Sequence, residues 1–92
     1  MATLFAMPKL GMNMEEGIVV RWLVSEGAAV AAGQVILEIE TDKANTDLES
    51  PVEGVVARIV RREGETVPIN GVLAVILAPG EQMPAEVPDK VV

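Results

Sequence analysis

Residues 16–39, EGIVVRWLVSEGAAVAAGQVILEI, recur at residues 53–76 as EGVVARIVRREGETVPINGVLAVI, and the two align without a gap. The offset is 37 residues, and nine of 24 positions are identical: those led by Glu16, Gly17, Val19, Arg21, Glu26, Gly27, Val30, Val35 and Ile39. Self-similarity of this kind constrains architecture before any local propensity does. Two copies are too few for a solenoid. In a chain of 92 residues, long enough for one domain, they imply a single unit with approximate two-fold symmetry.

Each copy reads as three strands divided by turns. An E-G pair opens it, and a strand follows, Ile18 to Val24 or Val55 to Val60. A second E-G pair, Glu26-Gly27 or Glu63-Gly64, marks a turn, since glycine accepts positive φ without steric cost. A short strand around Val30 or Val67 comes next. After Gly33 or Asn70-Gly71 a last strand runs Val35–Glu40 or Val72–Leu77. In the first of these Val35, Leu37 and Ile39 alternate with Glu38 and Glu40, the period of a half-buried strand. Phe5 and Trp22 are the only aromatic residues, so Val, Ile and Leu must make the core, and β-branched residues favour strands. No segment has a helical period. The expected fold is all-β, a sandwich or a flattened barrel, with quasi-two-fold symmetry.

Between the copies lies a hairpin with its turn near Thr41-Asp42-Lys43-Ala44. Thr46 and Leu48 are expected to face inward, and Asn45, Asp47 and Glu49 outward. Lys43 stands alone at this turn among Glu38, Glu40, Asp42, Asp47, Glu49 and Glu53, and it is the only lysine between Lys9 and Lys90. Symmetry sets the lysine tip and the chain ends at opposite ends of the domain.

The rest of the composition excludes more than it suggests. A net charge of −7 from 7 basic and 14 acidic side chains argues against nucleic acid and anionic membrane surfaces. No apolar run approaches the roughly 20 residues of a membrane span. With no His and no Cys, neither a Ser-His nor a Cys-His nucleophile can be built, and zinc loses its best ligands. The acidic residues read as a solvated face, without the spacing that wraps calcium. Trp22 reads as packing, and Met12 and Met14 as adaptable contacts or edge packing. No catalytic residue and no metal site are expected.

The chain resembles the lipoyl domains of 2-oxo acid dehydrogenase complexes, in the biotinyl/lipoyl attachment superfamily, over about residues 3–77. MPKLGMNMEEG (7–17) is similar to the family's opening, and EIETDKA (38–44) to its modification site. Lys43 is flanked by Asp42 and Ala44, whereas biotin carriers typically have Met on both sides, so lipoate is favoured. NTDLES (45–50) departs from the family's usual β-branched, Glu-rich run but keeps the alternation.

The resemblance implies a flattened barrel or sandwich of two four-stranded antiparallel sheets with quasi-two-fold symmetry and the lysine at a hairpin tip, and covalent lipoate on Lys43. It implies recognition by a lipoate ligase or lipoyl transferase through Gly27, Glu40, Asp42, Ala44 and Gly54. It implies partner selection by Lys9, Leu10, Gly11, Met12, Asn13 and Met14. The arm would be reductively acylated by a thiamine-dependent 2-oxo acid dehydrogenase, would deliver the acyl group to an acyltransferase for coenzyme A, and would be reoxidised by dihydrolipoyl dehydrogenase. On this reading the chain is a monomeric carrier, not an enzyme by itself, from a dihydrolipoamide acyltransferase in the bacterial cytoplasm, or in the mitochondrial matrix if eukaryotic. Its domain spans 1–78, and the proline-containing remainder, 79–92, reads as a linker. The alternatives are a biotin carrier and an unmodified lipoyl-like interaction module. A glycine-cleavage carrier is also lipoylated, but this chain is short for that family.

Overall fold

The computed structural model describes residues 2–91. Its elements are strands: β1 (Thr3–Ala6), β2 (Glu16–Trp22), β3 (Ala29–Val30), β4 (Val35–Glu40), β5 (Asn45–Glu49), β6 (Gly54–Ile59), β7 (Thr66–Pro68) and β8 (Val72–Leu77). They form two four-stranded sheets, ordered β1-β8-β6-β3 and β5-β4-β2-β7, in which every pairing is antiparallel. Adding 37 to the residue numbers of β2, β3 and β4 turns them into β6, β7 and β8. The same operation exchanges the two sheets and makes edge strands β1 and β5 equivalent. The expected all-β architecture is present.

The bulges obey the symmetry. The β2–β4 register shifts between Val19 and Arg21, and the β6–β8 register between Val56 and Arg58, 37 residues on. The β4–β5 pairing shifts between Val35 and Leu37, and the β1–β8 pairing between Phe5 and Ala6, opposite Val72 and Ala74. An extra residue turns the following side chains to the other face. This explains a departure from simple alternation: Ile36 and Leu37 are adjacent, yet both are fully buried.

The E-G turns lock the copies together. The amide of Gly27 donates to the Val56 carbonyl at 2.7 Å, and the amide of Gly64 to the Val19 carbonyl at 2.7 Å. Both glycines have φ of 90°, a conformation costly for other residues. The Glu26 carboxylate accepts from the Ile59 amide at 2.7 Å, and the Glu63 carboxylate from the Trp22 amide at 3.3 Å. Each turn thus satisfies the strand end of the opposite copy, where the ladder has run out of partners.

Side chains from both sheets fill the space between them: Phe5, Met7, Val19, Val30, Ile36, Leu37, Ile39, Leu48, Val56, Val67, Leu73, Ala74 and Ile76. Trp22 is half-buried against this core and donates its indole N–H to the Arg61 carbonyl at 2.8 Å. Packing accounts for it, as expected. β1 was not legible beforehand, because its four residues, TLFA, are too few to show a period. Among the described residues no strand follows Leu77, but Asp89–Val91 return to the turn between β7 and β8.

Candidate functional site

β4 and β5 are joined by Thr41, Asp42, Lys43 and Ala44. The Thr41 amide donates to the Ala44 carbonyl at 2.9 Å, closing the turn. The Thr41 hydroxyl donates to the same carbonyl at 3.0 Å and faces the Lys43 and Ala44 amides, each at 3.4 Å. A hydroxyl has one donor and two acceptor positions, so this side chain can satisfy the turn from within. Thr41 is half-buried, while Asp42, Lys43 and Ala44 are exposed. Among the described residues no ion pair engages the Lys43 ammonium. Lys43 therefore projects from a closed turn that takes no support from its side chain.

The hairpin alternates as expected. Leu48 is buried and Thr46 half-buried, whereas Asn45, Asp47 and Glu49 are exposed. Glu38 is held from two sides, by Arg21 Nε at 3.1 Å and by Asn45 Nδ2 at 3.2 Å. No group of three or more acidic side chains is arranged to hold a metal ion among the described residues.

The loop between β1 and β2 comes alongside. Leu10, Gly11, Asn13 and Met14 line a groove of about 200 Å³ together with Asp42, Lys43 and Ala44. Asn13 and Met14 also join Glu15, Glu16, Glu40 and Asp42 around a second groove of about 380 Å³. The two methionines divide the roles left open by sequence. Met14 packs on the core beneath Gly17 and faces the Leu10 amide through its sulfur, at 3.3 Å. Met12 is 92% exposed. Lys9 and Met12 lie in a separate shallow depression with Leu10 and Gly11, and Lys43 does not line it.

Gly27 and Gly54 line neither groove beside Lys43. Gly27 serves the turn described above. Gly54 is buried at the start of β6, where a Cβ would lie 2.5 Å from the Leu77 carbonyl oxygen. Both glycines thus have sufficient reasons in the fold. Glu15 belongs to the loop expected beside the hairpin, whereas Glu16 and Ile18 were not foreseen near the site. Ile18 opposes Glu40 across the β2–β4 ladder, a proximity that only the register reveals.

Lys43, the closed turn and the flanking loop suit covalent attachment of a long group: the amine is exposed, and no enclosed cavity is needed because the group extends outward. Glu40 and Asp42, the carboxylates nearest the turn, are both exposed.

Comparison with known proteins agrees with this geometry. Residues 3–76 match the family model described as biotin-requiring enzyme. The chain is 50% identical, over 78 residues, to the acetyltransferase component of the pyruvate dehydrogenase complex of Rhizobium meliloti, covering 84% of this chain and 17% of that protein. It is 42% identical over 85 residues to the acetyltransferase component of an acetoin cleaving system from Cupriavidus necator, covering 92% of this chain and 22% of that protein. The chain thus spans about a fifth of the curated relatives it matches. Among solved structures, the lipoyl domain of the 2-oxoglutarate dehydrogenase complex from Azotobacter vinelandii superimposes with a TM-score of 0.66 at 29% identity. That match covers 83% of this chain and 99% of that domain. With a lysine at the β4–β5 turn of this barrel, the chain belongs to the biotinyl/lipoyl attachment family and is a lipoyl domain of the kind carried by acyltransferase components of 2-oxo acid dehydrogenase complexes.

Proposed function

We propose that Lys43 carries lipoate through an amide on Nζ and that the domain is a mobile acyl carrier. The observation that carries this reading is the exposed Lys43 on a turn closed by Thr41 and Ala44. Acylation consumes the amine's positive charge and takes the formal net charge from −7 to −8. Held on Lys43, the lipoyl group would supply a dithiolane able to take an acyl group from a thiamine-dependent 2-oxo acid dehydrogenase and give it to an acyltransferase for coenzyme A, with dihydrolipoyl dehydrogenase and NAD restoring the disulfide. The domain itself presents and tethers, and tethering raises the local concentration of the arm at each partner.

Its residues divide this work. Glu40, Asp42 and Ala44 flank the amine and meet the lipoate ligase or lipoyl transferase. Gly27 and Gly54 act on that enzyme through the shape of the barrel. Leu10, Gly11, Asn13 and Met14 select the dehydrogenase, a reading supported by the groove they share with Asp42, Lys43 and Ala44. Lys9 and the exposed Met12 extend that contact outward. The acids around Lys43 favour a basic partner surface.

The test is acylation of the lipoylated chain by thiamine-dependent dehydrogenases supplied separately with pyruvate, 2-oxoglutarate, a branched-chain 2-oxo acid or acetoin. A mass gain of one acyl group with one of them is expected. A fully lipoylated chain that none of them acylates contradicts the carrier role and favours an interaction module.

A further inference from the structure

The two sheets are equivalent in backbone but not in their outer faces. On the second sheet that face is charged: Glu38 lies opposite Asp47 on β5 and opposite Arg21 on β2. At the equivalent place on the first sheet, 37 residues on, stands Val75, fully buried although it lies outside the main core cluster. Val72, the counterpart of half-buried Val35, is fully buried as well. Something must cover this face, since a fully buried side chain needs neighbours on every side.

Chain after Leu77 is the material that the second sheet lacks. Leu4 opposes Val75 across the β1–β8 ladder and so shares its face. Leu4 lines a groove together with Gln82, Pro84 and Glu86. Pro84, Val87 and Val91 are half-buried. Farther on, the Val72 amide donates to the Asp89 carbonyl at 2.9 Å, and the Val91 amide to the Asn70 carbonyl at 2.7 Å, on either side of a bridge between Gly71 and Lys90. Arg61, whose side chain is 13% exposed, ties the two together. Its Nε donates to the Val72 carbonyl at 2.9 Å, and its Nη2 donates to the Asp89 carbonyl at 2.9 Å and carboxylate at 2.8 Å.

We propose that residues 82–91 are an intramolecular strap, clasped at Asp89–Val91 by Arg61 and the β7–β8 turn, that covers the outer face of the first sheet and returns the chain to the lysine-bearing end. The clasp sits at the base of the loop beside Lys43: Asn70 and Gly71 exchange hydrogen bonds with Met7, and Ile69 donates to Glu15. Any chain beyond residue 92 then departs near the site, in place of the far end reached at Leu77. The folded unit extends past the expected boundary at 78. Opening the clasp releases the ten residues 82–91, about 31 Å of reach at the roughly 3.1 Å per residue of an extended proline-containing segment.

The test uses the chain labelled with nitrogen-15 and is independent of lipoylation. Heteronuclear NOEs at residues 86–91 are expected to equal those of the strands, with the Val72 and Val91 amides protected from exchange. In the double variant Asp89→Ala, Val91→Pro, the NOEs at 82–90 should fall and Val72 should exchange at least tenfold faster. The Val19 and Val56 amides, bonded within the barrel, should be unchanged and so report that the fold is intact. Fast motion and unprotected exchange at Val91 in the parent chain overturn the proposal. So does unchanged protection of Val72 in the double variant.

Discussion

Thr41 does more at the β4–β5 turn than its neighbours. Its backbone and side chain both bind the Ala44 carbonyl, so it fixes how Lys43 is offered without touching the amine. Replacing it with Val keeps the shape and removes the hydroxyl, while Ser keeps the hydroxyl. One net hydrogen bond is worth about 1 kcal/mol. Thr41→Val should therefore lower the ligase's kcat/KM by roughly three- to tenfold, and Thr41→Ser should restore most of it. Initial rates of lipoylation measure both. Gly54 poses a different problem, because its Cβ would collide with backbone at Leu77 and backbone cannot step aside as a flexible side chain can. Gly54→Ala should cost about 1–3 kcal/mol, visible as a lower melting temperature. Its lipoylation in the cold, where it remains folded, should be slower than that of the parent, because the proposed ligase recognition depends on the shape of the barrel. The exposed turn position of Lys43 and the inward Leu48 were legible from residues alone, whereas a role for that lysine came from the resemblance. The office of Thr41 was not legible, since nothing in a sequence says which hydroxyl closes a turn.

The strands repeated in sequence were read nearly as they stand, with β4 and β8 correct in both bounds and β2 and β6 displaced by a residue or two. Their periodicity and the E-G turns supplied independent signals. The bulges were invisible, because an extra residue in one strand is defined only against its partner. The copies interlock through Glu26 and Glu63, and this carries a prediction at the level of the element. Glu26 holds the Ile59 amide at 2.7 Å, and Glu63 holds the Trp22 amide at 3.3 Å. Both sites are exposed, so each contribution is small. Glu26→Ala should cost about 1 kcal/mol, and Glu63→Ala less. Urea unfolding midpoints at equal m-value would show the order, and the reverse order would contradict this account of the turns. The surface pair of Arg21 and Glu38, 63% and 21% exposed, should be worth under about 1 kcal/mol and weaken further in salt.

On the scale of the molecule, a duplicated half accounts for two equivalent sheets, and what lies outside the duplication accounts for function. The hairpin between the copies offers an amine. The loop between β1 and β2 flanks it, and the C-terminal segment breaks the symmetry on the opposite sheet. A reading of composition took that segment for a linker, since its prolines and missing alternation forbid a strand. Under the proposed strap the burial of Val72 and Val75 comes from that segment, and composition alone does not tell whether an apolar outer face is covered by chain with no pattern of its own. The central claim concerns Lys43. It is tested most directly by intact mass after incubation with lipoate, ATP and a lipoate ligase, beside Lys43→Arg and beside a parallel reaction with biotin and its ligase. One lipoyl group on the parent chain, none on the variant and no biotin is the predicted result. Absence of lipoyl addition to a folded parent chain, or equal addition to the variant, would contradict it.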